Sequence, residues 1–475
     1  MNYVFIFPDE LRAESVHCYG HPLVKTPNID RLAEEGTLFE QNYTAHPVCE
    51  PSRATIASGW YPHVDARRSF YMPKDTDPNM FRPLKESGFT IAHVGKDDMF
   101  DHASMERLFD EFPPFHRRSA MSPQTAVSEA RYSMLYPPLP DECEPELSDS
   151  LHNKQAIDFI NRHAKDEKPF FLMVSYLFPH PPYGGVEKYY NMYDPEELPD
   201  MRDLSWMEGK PEYYPILRRF REMEDKDPGI YKKINAVYLG MITFVDKLTG
   251  DIINCLKENG IYDDTTIIFC SDHGDYAGDA GQLEKWPSDM CDMITRVPLI
   301  IRRPGCPGGH RVTTPTQSID IMPTILDYEN VELDYLQFGV SLRPQVEGAA
   351  GDPERAVYTE GGYDTHEPWC FEPVCFIGTY LERPQVEGTD YYPKSLQQQE
   401  EPDTVCRTIM QRYGDWKLNF RTNGQCELYN MKEDPLENRN LYGKPEYFEI
   451  QNELTLKMLN WLTHTSDVTP IYGRG

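Results

Sequence analysis

An α/β fold follows from three features of the chain. Short continuous apolar runs recur through its first two-thirds, segments with helical spacing separate them, and each run ends on Pro, Gly or charged residues. Strands that are apolar on both faces and alternate with helices build a mostly parallel sheet covered by helices. After about residue 345 the pattern changes to short strands joined by turns. That change predicts a large α/β domain over 1–345 and a smaller α+β domain with an antiparallel sheet over 346–475.

The elements follow in order. "YVFIF" (Tyr3 to Phe7) is the first strand, and "TPNIDRLAEEG" is a helix whose Ile29, Leu32 and Ala33 share a face. Phe89 to Lys96, Pro169 to His180, Thr265 to Gly274 and Val297 to Gly305 supply further buried strands. The longest helical pattern, Tyr231 to Asn259, stops at "KENG", a basic residue and then glycine, as helix C-termini do. In the last third, "RAVYTE", "VCFIGTY", "TIMQRYGDWKLNFR" and "CELYNM" read as strands, with "YGD" turning a hairpin. Arg383 to Asp403 reads as a long polar loop or lid, and Tyr447 to Leu462 as a closing amphipathic helix.

Composition narrows the function. The 475 residues carry 77 acidic against 47 basic side chains, a net charge of -30, with 39% hydrophobic and 12% aromatic residues. So acidic a surface repels phosphate backbones, which argues against nucleic acid, and it disfavours anionic membranes and highly sulfated polymers. No run approaches the roughly 18 apolar residues of a membrane span, and no basic-then-apolar leader opens the chain. The 11 scattered cysteines include no CxxC pair. Reduced thiols and a cytoplasmic location are therefore expected.

Polar groups gather where strands end. Asp9 and Glu10 follow the first strand, Lys96, Asp97 and Asp98 the second, His180 the third, and Asp272 and His273 the fourth. Open parallel sheets bind ligands beyond the carboxyl ends of their strands. Several carboxylates meeting there cannot all stay ionised without a cation. Asp9, Glu10 and Asp272 offer hard oxygens to a divalent ion such as calcium, magnesium or manganese, and His273 adds a nitrogen that widens the choice to zinc.

One cysteine stands apart. In "HPVCEPSRATIASG" Cys49 lies between Pro47 and Pro51, ahead of a short helix that carries Arg53. A lone cysteine is commonly a small buried hydrophobe. At a helix N-terminus it has a second reading, because that end stabilises an anion and lowers a thiol pKa. His46 is the neighbouring candidate base.

The string "VCEPSRATIASG" resembles the type I sulfatase signature, Cys-x-Pro-Ser-Arg followed by a small-residue helix and glycine. "FPDELRAESVHCYGHPLVKTPNIDRLAEEGTLFEQNY", "GFTIAHVGK", "FPHPPY", "SDHGDYAGDAGQLEKW" and "CELYNMKEDPLENRNLY" are similar, in the same order, to segments of that family within the alkaline phosphatase superfamily. The resemblance implies that Cys49 is oxidised to formylglycine by a maturation enzyme that reads Cys-x-Pro-x-Arg. It implies that the hydrated aldehyde attacks sulfur and that its second hydroxyl then expels sulfate. Asp9, Glu10, Asp272, His273 and modified Cys49 would hold the metal, calcium foremost. Arg53 would orient the attacking group, Lys96 and Lys285 bind sulfate oxygens, and His180 protonate the leaving oxygen or bind sulfate.

The chain departs from the family pattern in three places. Glu10 replaces the usual second aspartate, Lys96-Asp97-Asp98 lacks the histidine often found two residues after the lysine, and Ala280 takes a histidine position. Asp98 is thereby a candidate to contact a substrate hydroxyl or amine. His63, Arg67 and Arg68 are candidates for the pocket border, and Glu360 and Trp369 for closing over it. The expected substrate is a small sulfated carbohydrate or aryl sulfate. A phosphonate monoester or phosphodiester hydrolase and an inactive binding relative are the alternatives, and homo-oligomerisation is left open.

Overall fold

The computed structural model describes residues 1–69, 72–115, 130–364 and 387–468. Trp369 and the strand expected over residues 374–380 lie outside them, as does part of the loop expected at 383–403. A seven-stranded sheet forms the centre, in the order β4-β5-β1-β6-β7-β2-β8. Its strands are β1 (Asn2–Asp9), β2 (Thr37–Phe39), β4 (Thr90–Gly95), β5 (Phe170–Pro179), β6 (Thr265–Cys270), β7 (Leu299–Arg302) and β8 (His310–Val312). β4, β5, β1 and β6 are parallel neighbours, whereas β7 runs antiparallel to both β6 and β2. β3 (Asn42–Tyr43) and β9 (Thr316–Gln317) form a separate short pair.

The alternation of β1 explains its central place. Val4 and Ile6 enter the core beneath the long helix Gly229–Glu258, while Tyr3, Phe5 and Phe7 enter the core on the opposite face. Full burial of each such side chain contributes about 1.5–3 kcal/mol, so a strand buried on both faces is fixed in register. Helix α1 (Pro27–Glu35) buries Ile29, Leu32 and Ala33 as their spacing predicts. The expected helix at 231–259 spans Gly229–Glu258, and the closing helix spans Phe448–Thr465.

A second, antiparallel sheet joins β10 (Val357–Gly361), β11 (Thr408–Tyr413), β12 (Trp416–Arg421) and β13 (Glu427–Asn430). The predicted hairpin turns at Gly414–Asp415 between β11 and β12. One face carries the closing helix, where the Trp461 ring stacks 4.2 Å from that of Tyr358. The other sends Val357 and Met410 against Tyr43 and Met290 of the first region. The loop expected near 383–403 contains a helix, Tyr392–Glu400, because Pro393 starts it and Lys394, Gln397 and Gln398 are buried against the larger region. Among the described residues no helix is long and apolar enough to cross a membrane.

Candidate active site

Four adjacent parallel strands end together, and each delivers a polar group there. Asp9 closes β1, Lys96 follows Gly95 at the end of β4, His180 follows β5, and Asp272 and His273 follow β6 by two and three residues. Backbone geometry sharpens the placement. Gly95 has φ +99°, and a Cβ on it would lie 1.9 Å from the Ser175 carbonyl oxygen. Only glycine lets the chain turn Lys96 toward β1 so close to β5. Glu10 adopts φ +62°. That uncommon conformation is held by its N–H, which donates to Asp272 Oδ1 at 3.1 Å, and by its carbonyl, which accepts from Tyr238 Oη at 2.6 Å.

Helix α2 (Cys49–Ser58) supplies the cysteine as its first residue and ends on Gly59 in the left-handed region. Ser52 Oγ donates to the Asp272 carbonyl oxygen at 2.8 Å, and Arg53 Nε donates to Asp272 Oδ2 at 2.9 Å. These bonds clamp the start of α2 against the loop after β6. Cys49 thereby enters a cluster with Asp9 and His273 in which the three candidate ligand atoms lie within 4.8 Å of one another. Asp9, Glu10 and His180 form a second such cluster.

The electrostatics divide into acceptors without donors and cations that hold them. His273 Nδ1 lies 2.9 Å from the Gly274 carbonyl oxygen, which fixes its proton there and leaves Nε2 bare. That lone pair faces Asp9 Oδ1 at 3.6 Å and Asp272 Oδ1 at 3.9 Å. Asp9 Oδ1, Glu10 Oε2 and His273 Nε2 are buried without a hydrogen-bond partner. Buried acceptors facing one another are unfavourable unless a cation lies between them, so the donor set fits a divalent ion. Burial and the neighbouring Asp272 push the Asp9 carboxyl up, against the pull of Lys96, and burial pushes Glu10 up against Lys285. Burial and Lys285 hold both His180 and His273 below the ordinary histidine range.

The cations sit opposite. Lys96 pairs with Asp9 and, at 3.0 Å, with Asp98. Lys285 Nζ lies 2.6 Å from Glu10 Oε1. Burial works against both ammonium groups, but these carboxylates outweigh it and hold each lysine well above its usual pKa. Arg53 stays charged for the same reason, with Asp98 and Asp272 outweighing burial, and its Nη1 has no hydrogen-bond partner. Arg53 and Lys96 in turn outweigh burial at Asp98 and keep that carboxyl ionised.

Two expectations change. Burial pushes the Cys49 thiol far above its usual pKa despite nearby Lys96. The start of a helix therefore does not make a thiolate here, since desolvation of a buried sulfur outweighs one helix turn. Glu360 does not close over a pocket. It is fully buried, accepts from Arg68 Nη2 at 2.6 Å and bonds His63 Nδ1 at 2.7 Å, which commits all three side chains to one another. Arg67 pairs with Asp65 and Asp77.

The site also contains groups that sequence reasoning passed over. Asp275 lies beside Glu10 and accepts from Tyr183 Oη at 2.7 Å; burial raises its carboxyl to about 7. Glu284, next to Lys285, receives Arg221 at 3.0 Å and Lys394 at 2.9 Å. Asp275 was open to detection, three residues beyond Asp272 in the same loop. Lys394 was not, because nothing in its own segment signals that a distant helix packs beside Lys285.

The family model described as Sulfatase matches residues 1–331. The ulvan-active sulfatase of Formosa agariphila is 26% identical over 98% of this chain and 82% of its own length. The N-acetylglucosamine-6-O-sulfatase of Bacteroides thetaiotaomicron is 25% identical over 95% of this chain and 84% of its own. Among solved structures, a phosphonate monoester hydrolase from Silicibacter pomeroyi superposes with a TM-score of 0.77 at 26% identity, covering 98% of this chain and 95% of that one.

Proposed function

The chain belongs to the sulfatase family of the alkaline phosphatase superfamily and is a sulfuric ester hydrolase, and from that premise we propose that it cleaves small sulfate monoesters at residue 49. The observation that carries the reading is the pairing of bare acceptors, Asp9 Oδ1, Glu10 Oε2 and His273 Nε2, with three cations, Arg53, Lys96 and Lys285, around Cys49. One group suits a divalent cation and the other a tetrahedral oxyanion.

In this reading Asp9, Glu10, Asp272 and His273 hold the ion together with residue 49, calcium first, with manganese, magnesium or zinc as the other choices for such donors. A divalent ion there supplies Lewis acidity. Conversion of Cys49 to formylglycine supplies an oxygen nucleophile that a buried neutral thiol lacks. Arg53, fixed by Asp272 and Asp98, orients residue 49. Lys96 and Lys285 neutralise the sulfate oxygens and the charge that grows on them, at fixed positions that need no reorganisation. His180 Nδ1 lies 2.5 Å from the Pro181 carbonyl oxygen, which fixes its proton there; Nε2 faces the site, 3.4 Å from Lys285 Nζ. In that tautomer Nε2 carries a lone pair, so His180 serves the leaving oxygen as an acid only when doubly protonated, and as the neutral ring it accepts from Lys285 Nζ at the sulfate end of the site.

A small sulfated carbohydrate or an aryl sulfate is the favoured substrate. Relatives named ulvan-active sulfatase and N-acetylglucosamine-6-O-sulfatase support the carbohydrate, and the net charge of -30 argues against long polyanions. The test combines mass spectrometry of the residue-49 peptide with sulfate release from sulfated monosaccharides and phenyl sulfate. Aldehyde at position 49 together with sulfate release supports the reading. Turnover by an unmodified thiol overturns the proposed nucleophile. Faster cleavage of a phenyl phosphonate monoester than of phenyl sulfate overturns the substrate class.

A further inference from the structure

A strap of the C-terminal region, residues 387–401, lies across the catalytic region, tied down along its length. Arg131 pairs with Glu387 at 2.9 Å, Gly388 N–H donates to Tyr132 Oη at 3.3 Å, and Tyr136 Oη donates to Asp390 at 3.0 Å. Further on, Lys394 Nζ donates to buried Glu284 at 2.9 Å, and Arg219 pairs with Glu401 at 2.9 Å. Glu284 is also 3.1 Å from Lys285, so the strap anchors beside a sulfate-binding candidate.

Tyr391 sits between these anchors, and its role differs from theirs. Its hydroxyl reaches His180 Nε2 at 3.5 Å, the long end of the hydrogen-bond range, and the two rings lie 6.4 Å apart. Among the described residues that is the one hydrogen bond the hydroxyl makes. The side chain is half-buried, whereas Cys49, Lys285 and Asp272 below it are buried. Its ring packs at the edge of the main core cluster, while Asp390 and Lys394 on either side supply polar tethers of their own. An aromatic ring with spare hydrogen-bonding capacity, next to the group facing the leaving oxygen, is what a site for a ring-bearing ligand offers.

We propose that Tyr391 is a specificity-determining residue: its ring forms the wall against which the alcohol half of the ester packs, and it favours esters whose alcohol is a sugar or aryl ring over small acyclic ones. The proposal rests on the sulfate-ester reading only for the identity of the anion. The wall concerns the alcohol half and holds equally for a phosphonate ester.

Binding decides it without turnover. In a Cys49→Ala background loaded with calcium, calorimetry measures phenyl sulfate and inorganic sulfate against Tyr391, Tyr391→Phe and Tyr391→Ala. The expected result is an about tenfold weaker Kd for phenyl sulfate in Tyr391→Ala, near-wild-type affinity in Tyr391→Phe, and inorganic sulfate unchanged within about twofold. Tyr391→Leu replaces Tyr391→Ala should the latter melt early. Equal weakening of both anions, no weakening of either, or no binding of either anion to the parent overturns the proposal. Failure of the sulfate-ester reading shows separately, as absence of sulfate release by wild-type protein that carries the aldehyde. Phenyl phosphonate then replaces phenyl sulfate in the same series.

Discussion

Among the places where charged side chains are buried, two are balanced differently: the carboxyl edge of the parallel sheet and the body of the antiparallel one. Around β12 and β13 each buried acid faces a cation. Lys417 holds Asp292 at 2.6 Å and Glu437 at 2.9 Å, and Arg421 pairs with Glu427. At the edge of the parallel sheet, Asp9, Glu10, Asp272, Asp275 and the His273 lone pair crowd together, and several acceptor atoms have no donor. The directions of the pKa shifts record the contrast at Glu427 but not at Glu437, which burial and Asp292 push up despite Lys417. Burial raises Glu427, but Arg421 and Lys210 outweigh it and bring the carboxyl down to about 2, whereas Asp9 and Glu10 are pushed up. Burial alone therefore does not mark a functional carboxylate. Burial among like charges whose acceptor atoms no lysine or arginine reaches does, as at Asp9 Oδ1 and Glu10 Oε2, because such a cluster is stable only with something else bound.

The largest expected effect tests the residue around which the crowded cluster is built. Cys49→Ala should lower sulfate release by at least about 10⁴-fold, as removal of a nucleophile does, with the melting temperature nearly unchanged. Activity within tenfold of wild type would show that the cluster serves some other chemistry. Next come the proposed metal ligands. Asp9→Asn should cost about 10²–10⁴-fold in activity by weakening metal binding. In chelator-treated protein the same change should leave stability unchanged or raise it, since it removes one charge from a like-charged group. Glu427→Gln is the same chemical change in the other region, and there it should destabilise by about 3–5 kcal/mol by stranding Arg421. Denaturant melts of the two metal-free variants give that sign directly, and a shared sign would erase the contrast between the regions.

That contrast also sets what the sequence could reveal. Apolar runs and their alternation with helices are local, so the parallel strands, the hairpin at Gly414 and both long helices were legible. The polar groups of the candidate site were legible because each lies at or within two residues of a strand end, at Asp9, Lys96, His180 and Asp272. The antiparallel setting of β7 against β6 was not, because a short apolar strand reads the same in either direction. Burial at Cys49 outweighed a helix start that local reading took to favour the thiolate. The helix at Tyr392–Glu400 was hidden in a polar string, because its buried Lys394 and Gln397 gain their environment from elements more than a hundred residues away. Local pattern gives the strand ends; long-range packing decides which charges meet there.

The smallest effect concerns the seam between the two regions, where Glu360 of β10 holds Arg68 and His63, and His63 Nε2 lies 2.9 Å from Thr465 Oγ1 of the closing helix. Burial raises the Glu360 carboxyl, but Arg68 and His63 outweigh it and bring it from 4.5 to about 2. A depressed folded-state pKa adds stability that is complete above the unfolded value and is lost as pH falls from there toward about 2. Glu360→Gln should therefore lower stability at pH 7 by about 1–3 kcal/mol and flatten its loss between about pH 4.5 and 2 relative to wild type. Because neither Arg68 nor His63 touches the carboxylate cluster, kcat on any sulfate ester should stay within about twofold, as expected for paired charge remote from the reacting atoms. Denaturant melts across that pH range, set beside activity at pH 7, separate the outcomes. A large fall in kcat with unchanged stability would place Glu360 in the substrate's path and contradict its assignment as a paired structural charge.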